Sequence, residues 1–176
     1  MPRRRALWQR IAEEARLRSG LLLSSSAASG ERSVIKRFID VGIAVKNLEA
    51  AVAIYSKVLG VAPRMLTQSD YAYPGLKGAR FYLPNATISL VASDDPQSTI
   101  SKFIKRRGEG VNHLTLEVIS LERDVVDLTK QGIEFLTGKP VDFPEGKVIF
   151  THPRSLHGVQ IALVQPLPSI DLLQQA

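Results

Sequence analysis

Asp40-Val41-Gly42-Ile43-Ala44-Val45 is followed at once by Asn47-Leu48-Glu49, and the order returns as His113-Leu114-Thr115-Leu116-Glu117-Val118 followed by Ser120-Leu121-Glu122. Val45 matches Val118, Leu48 matches Leu121 and Glu49 matches Glu122, each 73 residues further on. Thr87-Ile88-Ser89-Leu90-Val91 and Gln160-Ile161-Ala162-Leu163-Val164 keep the same separation. Self-similarity at a fixed separation marks a duplicated structural unit. One repeat runs from about 37 to 93 and the other from about 110 to 166.

Each repeat reads as strand, helix, then three strands. Arg37–Val45 and Val111–Val118 alternate and are rich in β-branched residues and leucine, as half-buried strands are. Asn47 and Ser120 are natural N-caps. Behind them Leu48, Ala51, Val52, Tyr55 and Val58 form one apolar stripe, and Leu121, Val125 and Leu128 form the other. Gly60 and Gly132 end the two helices, which are expected over 47–59 and 120–131 on the outer face of the sheet. Short strands are expected near 63–67, 78–83 and 86–92, then near 133–137, 147–151 and 158–164. The fold class is α+β, two tandem βαβββ units around a cleft.

Three segments follow: a basic N-terminal extension over 1–33, the duplicated domain over 34–166, and a C-terminal tail over 167–176. The net charge of +6 lies largely in the extension, whose seven Arg face three Glu, while residues 34–176 carry 16 basic and 14 acidic side chains. A near-neutral body with scattered aromatics does not have the basic face of a nucleic-acid binder. With no cysteine the chain has no disulfide, thiol nucleophile or thiolate metal site. No window approaches the roughly 18 apolar residues of a membrane span.

The order Ile43-Ala44-Val45-x-x-Leu48-Glu49-Ala50-Ala51, Gly108-Glu109-Gly110-Val111-Asn112-His113 and Val148-Ile149-Phe150-Thr151-His152-Pro153-Arg154-Ser155 resembles the vicinal oxygen chelate superfamily. That superfamily includes glyoxalases, extradiol dioxygenases and methylmalonyl-CoA epimerases, and the resemblance is closest to the epimerases. It implies one divalent metal in the cleft, held by a His from the first strand of each half and a Glu or Gln from the last. The repeat register makes Asp40 and His113 symmetry mates, and likewise Ser89 and Ala162. The family pattern falls on these four. Only His113 is a standard imidazole ligand there. Asp40 offers oxygen to a hard cation, Ser89 is a weak neutral donor, and Ala162 has no donor atom. Gln160 is two residues from Ala162 and faces the same side of its strand. The epimerase reaction also implies two carboxylate proton carriers. One falls on Ala162 and the other near Leu76-Lys77, with Asp70 the nearest carboxylate.

No catalytic residue and no metal ligand is therefore assigned: Asp40, Ser89, His113 and Ala162 are vestigial ligand positions, and Asp40, Ser89, His113 and Gln160 are cleft candidates. The expected function is an epimerase-like protein with a degenerate metal site, acting as a non-catalytic binding or scaffold subunit without a cofactor. One alternative is an active metal-dependent isomerase or lyase on a small acyl or thioester substrate, with Co, Zn, Mn or Ni bound weakly. Another is a small-molecule sequestering cup, against which the 6% aromatic content speaks. Lys102, Lys105, Arg106 and Arg107 read as a basic helix end running into Gly108, or as partners for the phosphates of a CoA-like ligand. His152 reads as a turn histidine, His157 as a loop residue, and Glu49 and Glu122 as complements to helix dipoles. Residues 1–33, Arg-rich and Ser-rich, resemble a mitochondrial presequence, which implies the matrix, with the cytoplasm as the alternative. Leu7, Trp8 and Ile11 within a helix over 6–18 would otherwise dock on a sister subunit or a larger assembly.

Overall fold

Asn47 starts the first helix by accepting a 2.9 Å hydrogen bond from the Ala50 amide, and Gly60 ends it at φ 70°. This helix joins the strand holding Asp40 to the rest of the first repeat, in a computed structural model that describes residues 35–174. The described residues belong to one compact unit, Ser33–Ala176. Expectations for residues 1–33 lie outside the described residues. The elements run β1 (Ile35–Ala44), α1 (Leu48–Leu59), β2 (Arg64–Leu66), β3 (Lys77–Tyr82), β4 (Thr87–Ala92) and α2 (Thr99–Arg107). The second half continues β5 (Gly110–Val118), α3 (Leu121–Lys130), β6 (Val141–Phe143), β7 (Gly146–Phe150) and β8 (Ile161–Pro166). No helix among them is long and apolar enough to cross a membrane.

All eight strands form one sheet in the order β2-β3-β4-β1-β5-β8-β7-β6. The duplication is visible in the pairing: β1 pairs parallel with β4 as β5 does with β8, and β1 and β5 meet antiparallel at the centre. Gly42 opposite Ser89 in the first half corresponds to Thr115 opposite Ala162 in the second. Both repeat helices cover the outer face. Leu48, Ala51, Val52, Tyr55 and Leu59 pack on Ala79, Phe81 and Leu90, whereas Leu121, Val125 and Leu128 pack on Ile149 and Leu163.

Four local expectations are corrected. Val58 is 76% exposed and Leu59 takes its place, because Leu48, Val52, Tyr55 and Leu59 follow the helical period. Ser120 stands at the N-cap of α3 without a side-chain capping bond; Gln165 Oε1 accepts from the Leu121 amide instead, at 2.8 Å. Residues 133–137 contribute only an isolated bridge, Phe135 to Thr151, and the strand beside β7 is Val141–Phe143, beyond Gly138 and Pro140. The last strand begins at Ile161 rather than 158, because His157 (φ 52°) and Gly158 (φ 92°) still form a turn.

Candidate functional site

Strand alternation puts Asp40 and Gly42 of β1, Ser89 and Val91 of β4, His113 and Thr115 of β5, and Ala162 and Val164 of β8 on the inner face. All of these but Gly42 line a cleft of about 890 Å³, as do Gln160, Asp70 and Leu76. All five predicted site positions, Asp40, Ser89, His113, Gln160 and Ala162, thus share one cavity. The C-terminal tail enters the same space: Leu172 is buried against Ile39, Val148, Ala162 and Val164. Arg37 of β1 holds that tail through a 2.7 Å ion pair with Asp171.

Space for His113 is made by Gly42, its partner across the strand pair; a Cβ at Gly42 would overlap the imidazole. The ring stands edge-on to Phe150, with centroids 5.4 Å apart, and its Nδ1 lies 3.0 Å from Asn112 Oδ1. Burial holds His113 below the usual histidine range, favouring neutral imidazole, although the Asp40 charge pulls the other way. Asp40 accepts a 3.1 Å hydrogen bond from Thr87 Oγ1. Burial raises its carboxyl above the usual range against the opposing pull of His113, Arg80, Ser89 and Thr87.

These residues do not fit a catalytic divalent metal. Ala162 is 1% exposed and packed among aliphatic side chains, with no donor to offer. Ser89 supplies only a neutral hydroxyl, and Asp40 is desolvated toward its neutral form. Among the described residues no three His, Cys, Asp or Glu side chains gather as a metal-holding group. Asp70 does reach the cleft, but Arg64 pairs with it at 2.9 Å and the Thr67 amide donates to it at 2.8 Å.

Sequence reasoning missed a half-buried cation that lines the cleft. Arg80 lies opposite Ser89 across the β3–β4 pair, on the inward side of a strand whose Ala79 and Phe81 face outward. Its Nη1 donates to both carboxylate oxygens of Glu145, at 3.1 and 3.0 Å, and Arg64 reaches Glu145 at 3.5 Å. Burial would lower its pKa, but Glu145 outweighs this and keeps the guanidinium charged. Tyr71, missed as well, places its hydroxyl over Gly78, where a Cβ would overlap it. Burial raises the Tyr71 phenol, so it stays protonated. The signal available was the alternation of Gly78, Arg80 and Tyr82 within β3.

Around this centre the cleft is more aromatic than the composition suggests, since Tyr71, Tyr73, Phe103, Phe143 and Phe150 all line it. Lys102, Arg106 and Arg107 of α2 stand at its edge while Lys105 does not, and Arg107 Nη1 donates to Gly158 O at 3.2 Å. His152 lines the cleft as a turn residue whose Nδ1 accepts from the Arg154 amide at 3.2 Å.

Comparison with known proteins agrees with this architecture. Residues 40–150 match the family model of the glyoxalase/bleomycin resistance protein/dioxygenase superfamily. The mitochondrial methylmalonyl-CoA epimerase of Homo sapiens is 33% identical over 135 residues, covering 73% of each chain. The ethylmalonyl-CoA/methylmalonyl-CoA epimerase of Cereibacter sphaeroides is 31% identical over 75% of this chain and 99% of its own. The crystal structure of methylmalonyl-CoA epimerase from Mycobacterium tuberculosis superposes with a TM-score of 0.69 at 29% identity, covering 80% of this chain and 94% of that one. The chain belongs to the glyoxalase/bleomycin resistance protein/dioxygenase superfamily, among relatives of the methylmalonyl-CoA epimerases.

Proposed function

We propose that this protein binds an acyl-CoA-type thioester in its cleft without a catalytic metal and without turning it over. The observation that carries the reading is Ala162: a buried aliphatic residue at the position where the family pattern calls for a carboxylate ligand and base. Enolisation beside a thioester needs a Lewis acid or an equivalent donor for the oxyanion, and a base for the proton. His113 is sequestered against Phe150 and Asn112, and Asp40 is held by Thr87, so neither is a free base at the cleft mouth. The basic side chains of α2 supply partners for CoA phosphates, and the apolar side of the cleft supplies room for an acyl chain.

Metal analysis after purification without chelator, combined with solvent deuterium exchange into methylmalonyl-CoA, tests the reading. Sub-stoichiometric metal, no exchange and saturable binding of a CoA thioester are expected. Stoichiometric Zn, Co, Mn or Ni, or exchange abolished by His113→Ala, overturns it in favour of an active metal-dependent enzyme, the reading that the identity to human epimerase favours. Residues 1–33 are proposed as a matrix-targeting presequence or a docking arm. A native N-terminus near residue 30 supports the first, and loss of subunit association on truncation supports the second.

A further inference from the structure

We infer that the C-terminal tail, residues 167–174, is an autoinhibitory strap that lies in the cleft as an intramolecular competitor and is displaced when a ligand enters. The inference rests on the reading of the cleft as a thioester-binding site and adds how access to that site is controlled. β8 ends at Pro166, and the chain then doubles back over the inner face of its own strand. Six residues further on, Leu172 is buried against Val164 and Ala162 of β8, Val148 of β7 and Ile39 of β1. It fills the space beside Ala162, the position where the family pattern calls for a carboxylate. The missing donor and the seated tail are two sides of one arrangement, because a longer side chain at 162 would need the volume that Leu172 takes.

The hold on the tail is concentrated in few contacts. The Leu167 amide donates to Glu145 O at 2.9 Å where the tail begins. Among the described residues, the backbone hydrogen bonds beyond it are local, from Ile170 to Leu167 at 2.9 Å and from Gln174 to Asp171 at 3.1 Å. The Leu173 amide likewise donates within the tail, to Asp171 Oδ1 at 3.0 Å. Two things tie this turn to the sheet: the apolar packing of Leu172, flanked by Ile170 and Leu173, and the pair of Arg37 with Asp171. Leu167, Pro168 and Ser169 between the two ends are exposed. A segment with local backbone bonds, one buried anchor and one partly exposed ion pair opens at lower free energy than the sheet beneath it. Leu172 lines the cleft but Asp171 does not, so the ion pair latches the strap without touching what binds there.

The chain has no cysteine, so Leu172→Cys in the full chain places a single reporter thiol on the strap. Leu163→Cys is its control: both leucines are 4% exposed, but Leu163 lies in the sheet under α3. Alkylation by iodoacetamide is expected to be about tenfold or more faster at 172 than at 163. Asp171→Asn keeps the oxygen that accepts from Leu173 and removes the charge. It is expected to speed alkylation at 172 about two- to fivefold and to leave 163 unchanged. In calorimetric titration, Asp171→Asn is expected to bind propionyl-CoA more tightly by the same factor, because less of the chain is closed. This measurement needs no substitution at 172 and decides the matter if Leu172→Cys does not fold. Saturating propionyl-CoA is expected to speed alkylation at 172, since a bound ligand keeps the strap out. Equal rates at 172 and 163, or a rate at 172 unmoved by Asp171→Asn, make the tail a fixed part of the core and overturn the strap. Protection of the 172 thiol by propionyl-CoA overturns it too, because the tail is then a wall on which the ligand rests. If Asp171→Asn binds propionyl-CoA with wild-type affinity, the strap fails and the thioester site stands. If no variant binds it while Asp171→Asn still speeds alkylation, the thioester reading fails and the opening of the strap stands.

Discussion

Arg80 and Glu145 are 65 residues apart and come from opposite wings of the sheet, yet their charged groups meet at 3.0 and 3.1 Å. Arg80 lies on β3, one strand from the β2 edge, and Glu145 lies in the turn between β7 and the β6 edge. The pair ties the two curled ends of an open sheet across the cleft. Both side chains are 18% exposed, so solvent screens the contact little. Glu145→Ala would leave Arg80 a poorly solvated cation. It is expected to cost about 1–3 kcal/mol, read as a lower denaturation midpoint.

Gly42 is fixed by a different constraint, the imidazole of His113 lying over its α-carbon. Gly42→Ala must displace that ring from its place against Phe150, and overpacking of this kind costs about 1–3 kcal/mol. Combining it with His113→Ala should recover much of the loss, since the second change vacates the volume. Thermal denaturation of the two single variants and the double variant measures the coupling.

Half of this site was legible in the sequence because the chain repeats itself. Asp40 and His113, and Ser89 and Ala162, fall in register whichever half is read first, and the paired strands bring all four to one floor. Arg80 was not legible in that way: its pairing mate in the second half is Phe150, so the duplication gives no hint of it. Its partner Glu145 follows Pro144 in a turn, and nothing local announces a contact across the cup. The misplaced strand at 133–137 failed for a related reason. Ile133 and Phe135 alternate like strand residues, but Gly138 and Pro140 move the paired segment to Val141–Phe143.

Glu117 gives the fold an acid-sensitive contact. It is 1% exposed and accepts from Lys36 at 2.6 Å and from Arg37 at 2.5 Å. Burial would raise its carboxyl, but the two cations outweigh burial and hold it below the usual range. A carboxylate with a depressed folded pKa contributes stability above its unfolded pKa and loses it as the pH falls through the folded one. Wild-type stability is therefore expected to fall from about pH 5 downward, and Glu117→Gln, weaker at neutral pH, should lose less over that interval. Urea midpoints across the range check the difference in slope.

Asp40 works in the opposite sense. Its carboxyl is raised by burial, so its contribution is fully present below the unfolded pKa and is lost as the pH rises through the folded one. Asp40→Asn keeps the shape and removes the buried charge. It is expected to stabilise the protein near neutral pH and to give no gain near pH 3, where Asp40 is already protonated. Thermal midpoints at the two extremes decide this, and a destabilised Asp40→Asn at neutral pH that is rescued by added metal would instead identify Asp40 as a ligand.

If the scaffold has kept the metal geometry and lost only the donors, replacing the donors should bring the metal back. The family pattern asks for His at the first strand of each half and for Gln or Glu at the last. His113 already meets it, and Asp40, Ser89 and Ala162 do not. Asp40→His, Ser89→Gln and Ala162→Glu together restore a four-ligand set on positions that the strand register brings to one floor. The substitution at Ala162 is the hardest to accommodate, because the residue is packed against Ile39, Val148, Val164 and Leu172. Leu172→Ala in the C-terminal tail relieves that packing and belongs in the same variant. Stoichiometric Co or Zn in the quadruple variant, against sub-stoichiometric metal in the wild type, is the expected outcome by elemental analysis. A wild type that already binds metal as well as the variant would show that the native donors suffice.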